Sequence, residues 1–367
     1  MPIKVLVISN YKPTISVRPE AEMFIGLKKK GVEVSVMTFK EATYNEKFQA
    51  ADIRTIPFHP VKKFDQAEID FIREELVKGE YHILHLFNSK AIINGIRAAK
   101  GLPVKVVLYR GYAGNVHWYD PTAYVKFLHP RVDKIVCVSQ AVEDYFHKQL
   151  FFLKEKAITI IKGHDPKWYG DIQPMDVRKE FQLPSDAYVI SCVANARPMK
   201  GIPYLVKSLA HLPENTPTYL LLIGNNMDSE DIKEVAQTLP DPDKVIYAGY
   251  RKDAIQIVAG SDVFVLPSIK GEGINKAVVE AMSVGIPPVV TNIAGNQGLV
   301  IDGESGAMVP SRSPAAIAEV LQSWYKQPSL RTQLGSQAQQ HIRKNFHIQT
   351  SIDQTFSLYQ SLSGIST

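Results

Sequence analysis

The chain has 367 residues, 45% of them hydrophobic and 22% charged, with a formal net charge of +5. That length exceeds one ordinary core, so two globular domains of a soluble protein are expected. No apolar run approaches the roughly eighteen residues that span a bilayer, the N-terminus lacks the cleavage region of a signal peptide, and no basic stripe interleaved with aromatics points to nucleic acid.

Residues 3–9 read as a buried strand, and 18–30 as a helix opened by Pro19 and closed by Gly31. Residues 32–39 alternate as a second strand. An amphipathic helix over 65–78 ends at Gly79. A strand at 83–86, a helix at 90–100 and a strand at 104–109 follow. After an aromatic-rich loop, 134–139 is a strand, 141–149 a helix and 157–161 a strand. Strands alternating with helices predict a doubly wound parallel sheet that takes ligands at its strand ends. Residues 163–176 break the pattern and read as a linker. It restarts with a strand at 188–194, a helix at 202–212, a strand at 218–223, an acidic helix near Asp231 and a strand at 245–247. Next come a strand at 263–266, a helix at 275–284 and a strand at 289–291. Helices over 314–325, 330–345 and 350–362 complete the chain.

Cys137 and Cys192 lie inside apolar strands and outside any metal-ligand spacing, which fits a reduced, cytoplasmic protein. The charge is uneven. Residues 1–170 carry 26 Lys and Arg against 18 Asp and Glu, a net of +8, and the remainder 16 against 19, a net of −3. The basic half suits an anionic partner or peripheral contact with the inner face of a membrane. Short clusters such as Lys28-Lys29-Lys30 and Lys62-Lys63 fit a solvated face equally well.

Two acids stand out in residues 261–310. Glu272 sits between Gly271 and Gly273 in a loop, and Glu280 lies in the following helix, which Asn275 is placed to cap. That helix is apolar on nearly every side, so a carboxylate on it needs a partner. Lys276 is one candidate, in the weaker i,i+4 orientation, worth about 0.3 kcal/mol. A ligand hydroxyl is the other, and the free N–H groups at the helix start suit a phosphate. Upstream, Arg197 and Lys200 follow the strand at 188–194. They suit a diphosphate, because Arg can fork two oxygens and Lys supplies a compact charge; two solvated surface cations are the alternative. Asp241-Pro242-Asp243 precedes a strand instead of ending one and reads as a turn, so no metal site is expected.

The stretch 261–310 resembles the donor-binding core of retaining glycosyltransferases of family four. These have the GT-B fold, an α/β architecture of two Rossmann-like, doubly wound domains facing across a cleft. The resemblance rests on Glu272-Gly-Ile-Asn-Lys-Ala-Val-Val-Glu280 and on the Ala-Met, Gly-Ile-Pro and Asp-Gly-Glu-Ser-Gly elements after it. Asn275 stands where small residues or proline are common. The resemblance implies an acceptor-binding domain over 1–168, a donor domain over 169–345, and a terminal helix within 346–367 crossing back onto the first domain. It implies metal-independent transfer of a sugar from a nucleoside-diphosphate-sugar co-substrate to a glycan or lipid-linked acceptor, with no cofactor, as in polysaccharide biosynthesis.

By the same resemblance Glu272 holds sugar hydroxyls and Glu280 the ribose. Arg197 and Lys200 hold the diphosphate together with Gly273, Ile274, Asn275 and Lys276. Gly224, Asn225, Tyr250 and Arg251 flank the nucleotide, and Gly295 and Asn296 form a turn near the sugar. The first half departs from the family pattern. No glycine occurs between Asn10 and Pro19, and Tyr109-Arg110-Gly111 stands where a histidine is common. Arg18, Arg110 and His117 are the acceptor-side candidates. A GT-B epimerase or phosphorylase, or a catalytically silent nucleotide-sugar-binding subunit, are the alternative readings.

Overall fold

A computed structural model describes residues 1–12, 14–151, 153–270 and 273–365, the side chains of 14–16 excepted. The chain forms two compact units, Met1–His164 with His347–Thr367, and Asp165–Phe346. The first unit holds strands β1 (Lys4–Ile8), β2 (Glu33–Thr38), β3 (Arg54–Pro57), β4 (Ile83–Leu86), β5 (Lys105–Arg110), β6 (Lys134–Cys137) and β7 (Ala157–Thr159). Between them lie helices α1 (Thr14–Lys29), α2 (Asn45–Ala50), α3 (Gln66–Gly79), α4 (Ser89–Ala98) and α5 (Gln140–His147). The sheet runs β3-β2-β1-β4-β5-β6-β7, and its pairings are parallel.

The second unit holds β8 (Tyr188–Val193), β9 (Thr218–Ile223), β10 (Val245–Gly249), β11 (Val263–Leu266), β12 (Pro288–Thr291) and β13 (Ala307–Val309), in the order β10-β9-β8-β11-β12-β13. Its helices are α6 (Val177–Glu180), α7 (Ile202–Ser208), α8 (Glu230–Ala236), α9 (Ala254–Ala259), α10 (Lys276–Ser283), α11 (Pro314–Lys326) and α12 (Pro328–Asn345). A final helix, α13 (Ile348–Ser363), belongs to the first unit.

Strands covered on both faces need continuous apolar runs. Val5, Leu6, Val7 and Ile8 of β1 are fully buried, as are Val263, Phe264 and Leu266 of β11. Two of the four edge strands, β3 and β13, differ. β3 reads Arg-Thr-Ile-Pro with Ile56 alone buried, and β13 has three residues. Neither carries a run long enough to predict, and Pro57 removes a ladder donor, which an edge tolerates.

α13 packs on α1 through Ile352, Thr355, Leu358 and Tyr359, all buried. Gly26 permits the close approach, since a Cβ there would meet the Ile352 side chain at 2.3 Å. The Tyr359 hydroxyl meets His85 Nδ1 on β4 at 2.6 Å. Burial holds His85 neutral, with its pKa pushed down to about 3. The imidazole is therefore a half-satisfied core group.

Candidate functional site

In the second unit the winding reverses at β8, with β9 and β10 on one side and β11 to β13 on the other. Doubly wound sheets take ligands in the crevice outside the carboxyl ends of the strands at such a point. Here the loops at those ends are laced together. The Gly224 amide donates to the Gly249 carbonyl at 2.7 Å and the Ala196 amide to the Asn225 carbonyl at 2.9 Å. The Asn225 side-chain amide donates to Asn195 Oδ1 at 3.2 Å. Across the switch point, the Ile269 amide donates to the Met199 carbonyl at 2.8 Å. The Thr291 hydroxyl donates to the Ser268 carbonyl, and the Asn296 side-chain amide to the Thr291 carbonyl at 2.8 Å. The ends of β8 to β12 thus form one continuous rim. Sequence reasoning missed Asn195; its signal was a second amide side chain opposite Asn225 at a neighbouring strand end.

Two glycines make the lacing sterically feasible. Gly224 has φ +136°, and a Cβ there would stand 1.9 Å from the Ala194 carbonyl oxygen. Gly201 has φ +66°, and a Cβ would stand 2.3 Å from the Pro267 carbonyl oxygen. Gly224→Ala is expected to destabilise the unit by about 3–5 kcal/mol, adding backbone strain to steric overlap. Gly303→Ala, at φ +75° with open space around it, is expected to cost about 1–2 kcal/mol. Denaturant melts of the two variants make the comparison.

The helix start beside this rim is built as the sequence suggests. Asn275 is buried, and its Oδ1 accepts from the Ala277 amide at 3.0 Å, capping α10. Val278, Val279, Ala281 and Met282 anchor the helix in the core. Gly273 is buried and Ile274 half-buried ahead of the cap. Lys276 Nζ pairs with Glu280, their side chains 32% and 23% exposed, so the near partner is the one occupied. Glu272 and Gly271 lie outside the described residues.

The two arginines of the rim differ. The Arg197 side chain is exposed, and its guanidinium makes no hydrogen bond or ion pair among the described residues. Arg251 is fully committed. Its Nε and one terminal nitrogen fork Asp253 at 2.7 and 2.8 Å, and the other terminal nitrogen reaches Glu180 at 2.9 Å. Hydrogen bonding to Asp253 and then Glu180 raises the Arg251 pKa further above its high ordinary value. Its guanidinium therefore ties α6 to the start of α9, and only the backbone and the exposed Tyr250 remain to face a ligand. Lys200 is half-buried at the end of the loop. Burial pushes the Cys192 thiol up to about 12, with the Lys200 charge opposing. Asn296 is fully buried and holds the turn after β12 through Thr291, leaving backbone near Gly295 as that turn's contact surface.

In the first unit, Arg110 is buried and shapes its own loop. Its Nε donates to the Tyr112 carbonyl at 2.8 Å and another nitrogen to the Gly114 carbonyl, while its plane covers the Tyr112 and Phe127 rings. Burial lowers its pKa. His117 stacks on Tyr119 with centroids 5.1 Å apart. Arg18 is half-buried on α1. The structure thus brings together the rim residues of the second unit, whereas Arg110 is a loop clamp. The basic clusters of this unit are largely ion-paired: Lys28 with Asp52, Lys30 with Asp353 and Lys62 with Asp65. Among the described residues, no group of three or more His, Cys, Asp or Glu is placed to hold a metal, and no helix is long and apolar enough to cross a membrane.

Comparison with known proteins gives the family. Residues 21–168 match the model for Glycosyltransferase Family 4, and residues 175–341 that for Glycosyl transferases group 1. The chain belongs to the group 1 glycosyltransferases of family 4. Its relatives include the UDP-Gal:alpha-D-GlcNAc-diphosphoundecaprenol alpha-1,3-galactosyltransferase of Escherichia coli, 28% identical over 64% of this chain and 64% of that one. Another is the N-acetyl-alpha-D-glucosaminyl L-malate synthase of Bacillus anthracis, 21% identical over 64% of this chain and 61% of the other. The matches therefore span under two thirds of those relatives' own lengths.

Solved structures establish the fold of this glycosyltransferase as GT-B. A glycosyltransferase from Rickettsia africae superposes with a TM-score of 0.84 at 17% identity over 100% of both chains. An Anabaena protein in complex with UDP does so at 0.78 and 20% identity, over 98% of this chain and 100% of that one.

Proposed function

We propose that this protein is a retaining glycosyltransferase that moves a sugar from a nucleoside diphosphate to a hydroxyl of a glycan or lipid-linked acceptor. The observation that carries the reading is the rim at the ends of β8 and β11. It ties the loop that carries Arg197, whose guanidinium makes no hydrogen bond or ion pair among the described residues, through the Met199–Ile269 bond to the loop that leads into the capped helix α10. A helix start carries roughly half a positive charge. A cation about 4 Å from a phosphate contributes roughly 4 kcal/mol before desolvation at an effective dielectric near 20. Together with Lys200 and Lys276, these groups suit the charge that develops on a departing diphosphate.

In the mechanism that the family resemblance supports, the acceptor hydroxyl attacks from the face that the diphosphate leaves. The bond from the sugar's anomeric carbon to the phosphate oxygen breaks, and that oxygen takes the hydroxyl proton. The protein supplies position and charge stabilisation. Glu272 is assigned to sugar hydroxyls and Glu280 to the ribose; backbone near Gly273, Gly224, Asn225, Tyr250 and Gly295 lines the rest. Uridine nucleotides are the first donors to try, because one relative is named for UDP-Gal and an Anabaena neighbour was solved with UDP-glucose.

We assign Arg18 of α1 and His117 to the acceptor side, with Arg110 holding the loop that leads to His117. A lipid-linked acceptor would meet the first unit near Trp118, Tyr119, Tyr124, Phe151 and Leu153, large apolar side chains that are exposed there. A cytoplasmic site of action is consistent with two free, buried cysteines.

The reading needs no cofactor and no divalent cation. Turnover of the nucleotide-sugar is expected to be unchanged, within about two-fold, in excess chelator. Loss of turnover restored by manganese or magnesium would sink this part of the account, because the charge now assigned to Arg197 and α10 would belong to the ion.

A further inference from the structure

The loop after β1 lacks the glycines that usually make such a turn, and side chains hold it instead. The Asn10 amide donates to Asn88 Oδ1 at 2.8 Å. Asn88 occupies the N-cap of α4, where asparagine ordinarily turns its oxygen onto the helix's own free amides. Here it makes no such bond. Its oxygen faces Asn10 and also His59 Nε2, at 3.1 Å. His59 Nδ1 faces the Pro60 carbonyl at 2.9 Å. Both ring nitrogens thus meet acceptors, and a neutral imidazole has one N–H. Turning the Asn88 amide over does not help, because its NH2 would then face the Asn10 N–H, donor against donor. A protonated ring satisfies all three contacts.

We propose that His59 is a positioning residue: as an imidazolium it donates to Pro60 and Asn88 together, and so holds the glycine-free loop after β1 against the start of α4. His59 is 9% exposed, and its ring stacks on Phe39 with centroids 4.5 Å apart. Charged groups face it from several elements. Glu68 on α3, a buried carboxylate whose oxygens accept from the Val61 and Lys62 amides and from Asn94, favours the cation. Lys90 on α4 opposes it. Lys12 lies over the Phe39 ring and is paired with Glu41. Burial pulls the His59 pKa below its ordinary value, while the Asn88 and Pro60 bonds and Glu68 pull it back. The clamp is therefore closed on the acid side and opens as the pH rises through that pKa. Its location, at the carboxyl ends of β1 and β4 where this sheet reverses its winding, is the ligand edge of the first unit. The link to catalysis rests on the glycosyltransferase reading; the clamp does not.

The test is a pH titration from 5 to 8 of the full chain, labelled with [15N]histidine and [15N]asparagine and followed by proton–nitrogen correlation spectra. Loss of signals in His59→Gln assigns the ring, and loss in Asn10→Gln assigns the Asn10 amide. At the acid end both His59 nitrogens should carry protons, and the Asn10 amide should titrate with the same midpoint. Asn88→Asp, which puts a carboxylate opposite Nε2, should raise that midpoint by at least tenfold in proton concentration. His59→Gln keeps one donor without a titrating proton, so the Asn10 amide should stay at its acid-end position at all pH. A ring neutral throughout with a static Asn10 amide would overturn the proposal, and so would an Asn88→Asp midpoint equal to the parent's. None of these readouts needs donor or acceptor, so a failed glycosyl-transfer assay would leave them unaffected.

Discussion

Replacing Arg197 by alanine is expected to lower kcat/KM for the nucleotide-sugar by about two to three decades, or roughly 3–4 kcal/mol of transition-state stabilisation. The expectation follows from what the guanidinium does in the free protein. It is exposed and makes no hydrogen bond or ion pair among the described residues, so its removal costs the fold little. It stands on the loop after β8, tied through Met199 to the loop that leads into α10. Arg197→Lys should recover part of the loss, keeping the charge but not the fork. Arg251 is the control. It carries the same charge on the same rim, but Asp253 and Glu180 take its donors. Arg251→Ala should leave kcat/KM within about threefold and cost about 1 kcal/mol of stability after solvent screening. Steady-state rates beside denaturant melts separate the two arginines. Equal losses of turnover would mean that Arg251 changes partners when donor binds.

The second large effect divides the two glutamates. Glu280→Gln is expected to weaken free nucleoside diphosphate and whole donor alike, by about 1.5–3 kcal/mol, the worth of a charge-assisted hydrogen bond. The pairing with Lys276 cannot by itself produce that loss. An i,i+4 pair in the Lys-to-Glu direction, with both side chains partly exposed, is worth about 0.3–0.5 kcal/mol. Glu272 lies outside the described residues, so its assignment rests on its spacing from Glu280 and on the resemblance. Glu272→Gln should leave nucleotide affinity within about twofold yet lower turnover by about one to three decades, or roughly 1.4–4 kcal/mol. Calorimetric titration of nucleoside diphosphate into each variant, beside rates with the true donor, decides it. The reverse pattern would invert the two roles, and an effect from neither would leave both acids structural.

Much of this fold was legible because buried parallel strands and capped helices leave local marks. Val263 to Leu266 is an uninterrupted apolar run, and Asn275 caps the next helix as its position suggests. β3, β13, α2, α6 and α9 were not legible. Each is a short element, and the two strands are edge strands whose pairing is set by their neighbours. α1 starts at Thr14, so Pro19, read as the residue that opens the helix, lies inside it.

The site was legible as a set of strand-end loops. It was not legible at the level of individual side chains. Arg251 and Arg197 look alike in sequence, and their difference lies in the side chains that meet Arg251: Asp253, two positions on, and Glu180, 71 positions away. Arg110 likewise turns back on carbonyls of its own loop. The Lys276–Glu280 pair follows from helical spacing alone, and it formed.

The claim on which the account rests is that the rim of the second unit binds a nucleoside diphosphate without a metal. Calorimetric titration of uridine diphosphate, then guanosine, adenosine, cytidine and thymidine diphosphates, into the full chain in excess chelator tests it most directly. The account predicts saturable binding of at least one of them, weakened at least about tenfold by Arg197→Ala, equivalent to about 1.4 kcal/mol, and unchanged by Arg251→Ala. Binding of none of the five, or binding indifferent to Arg197, would contradict it.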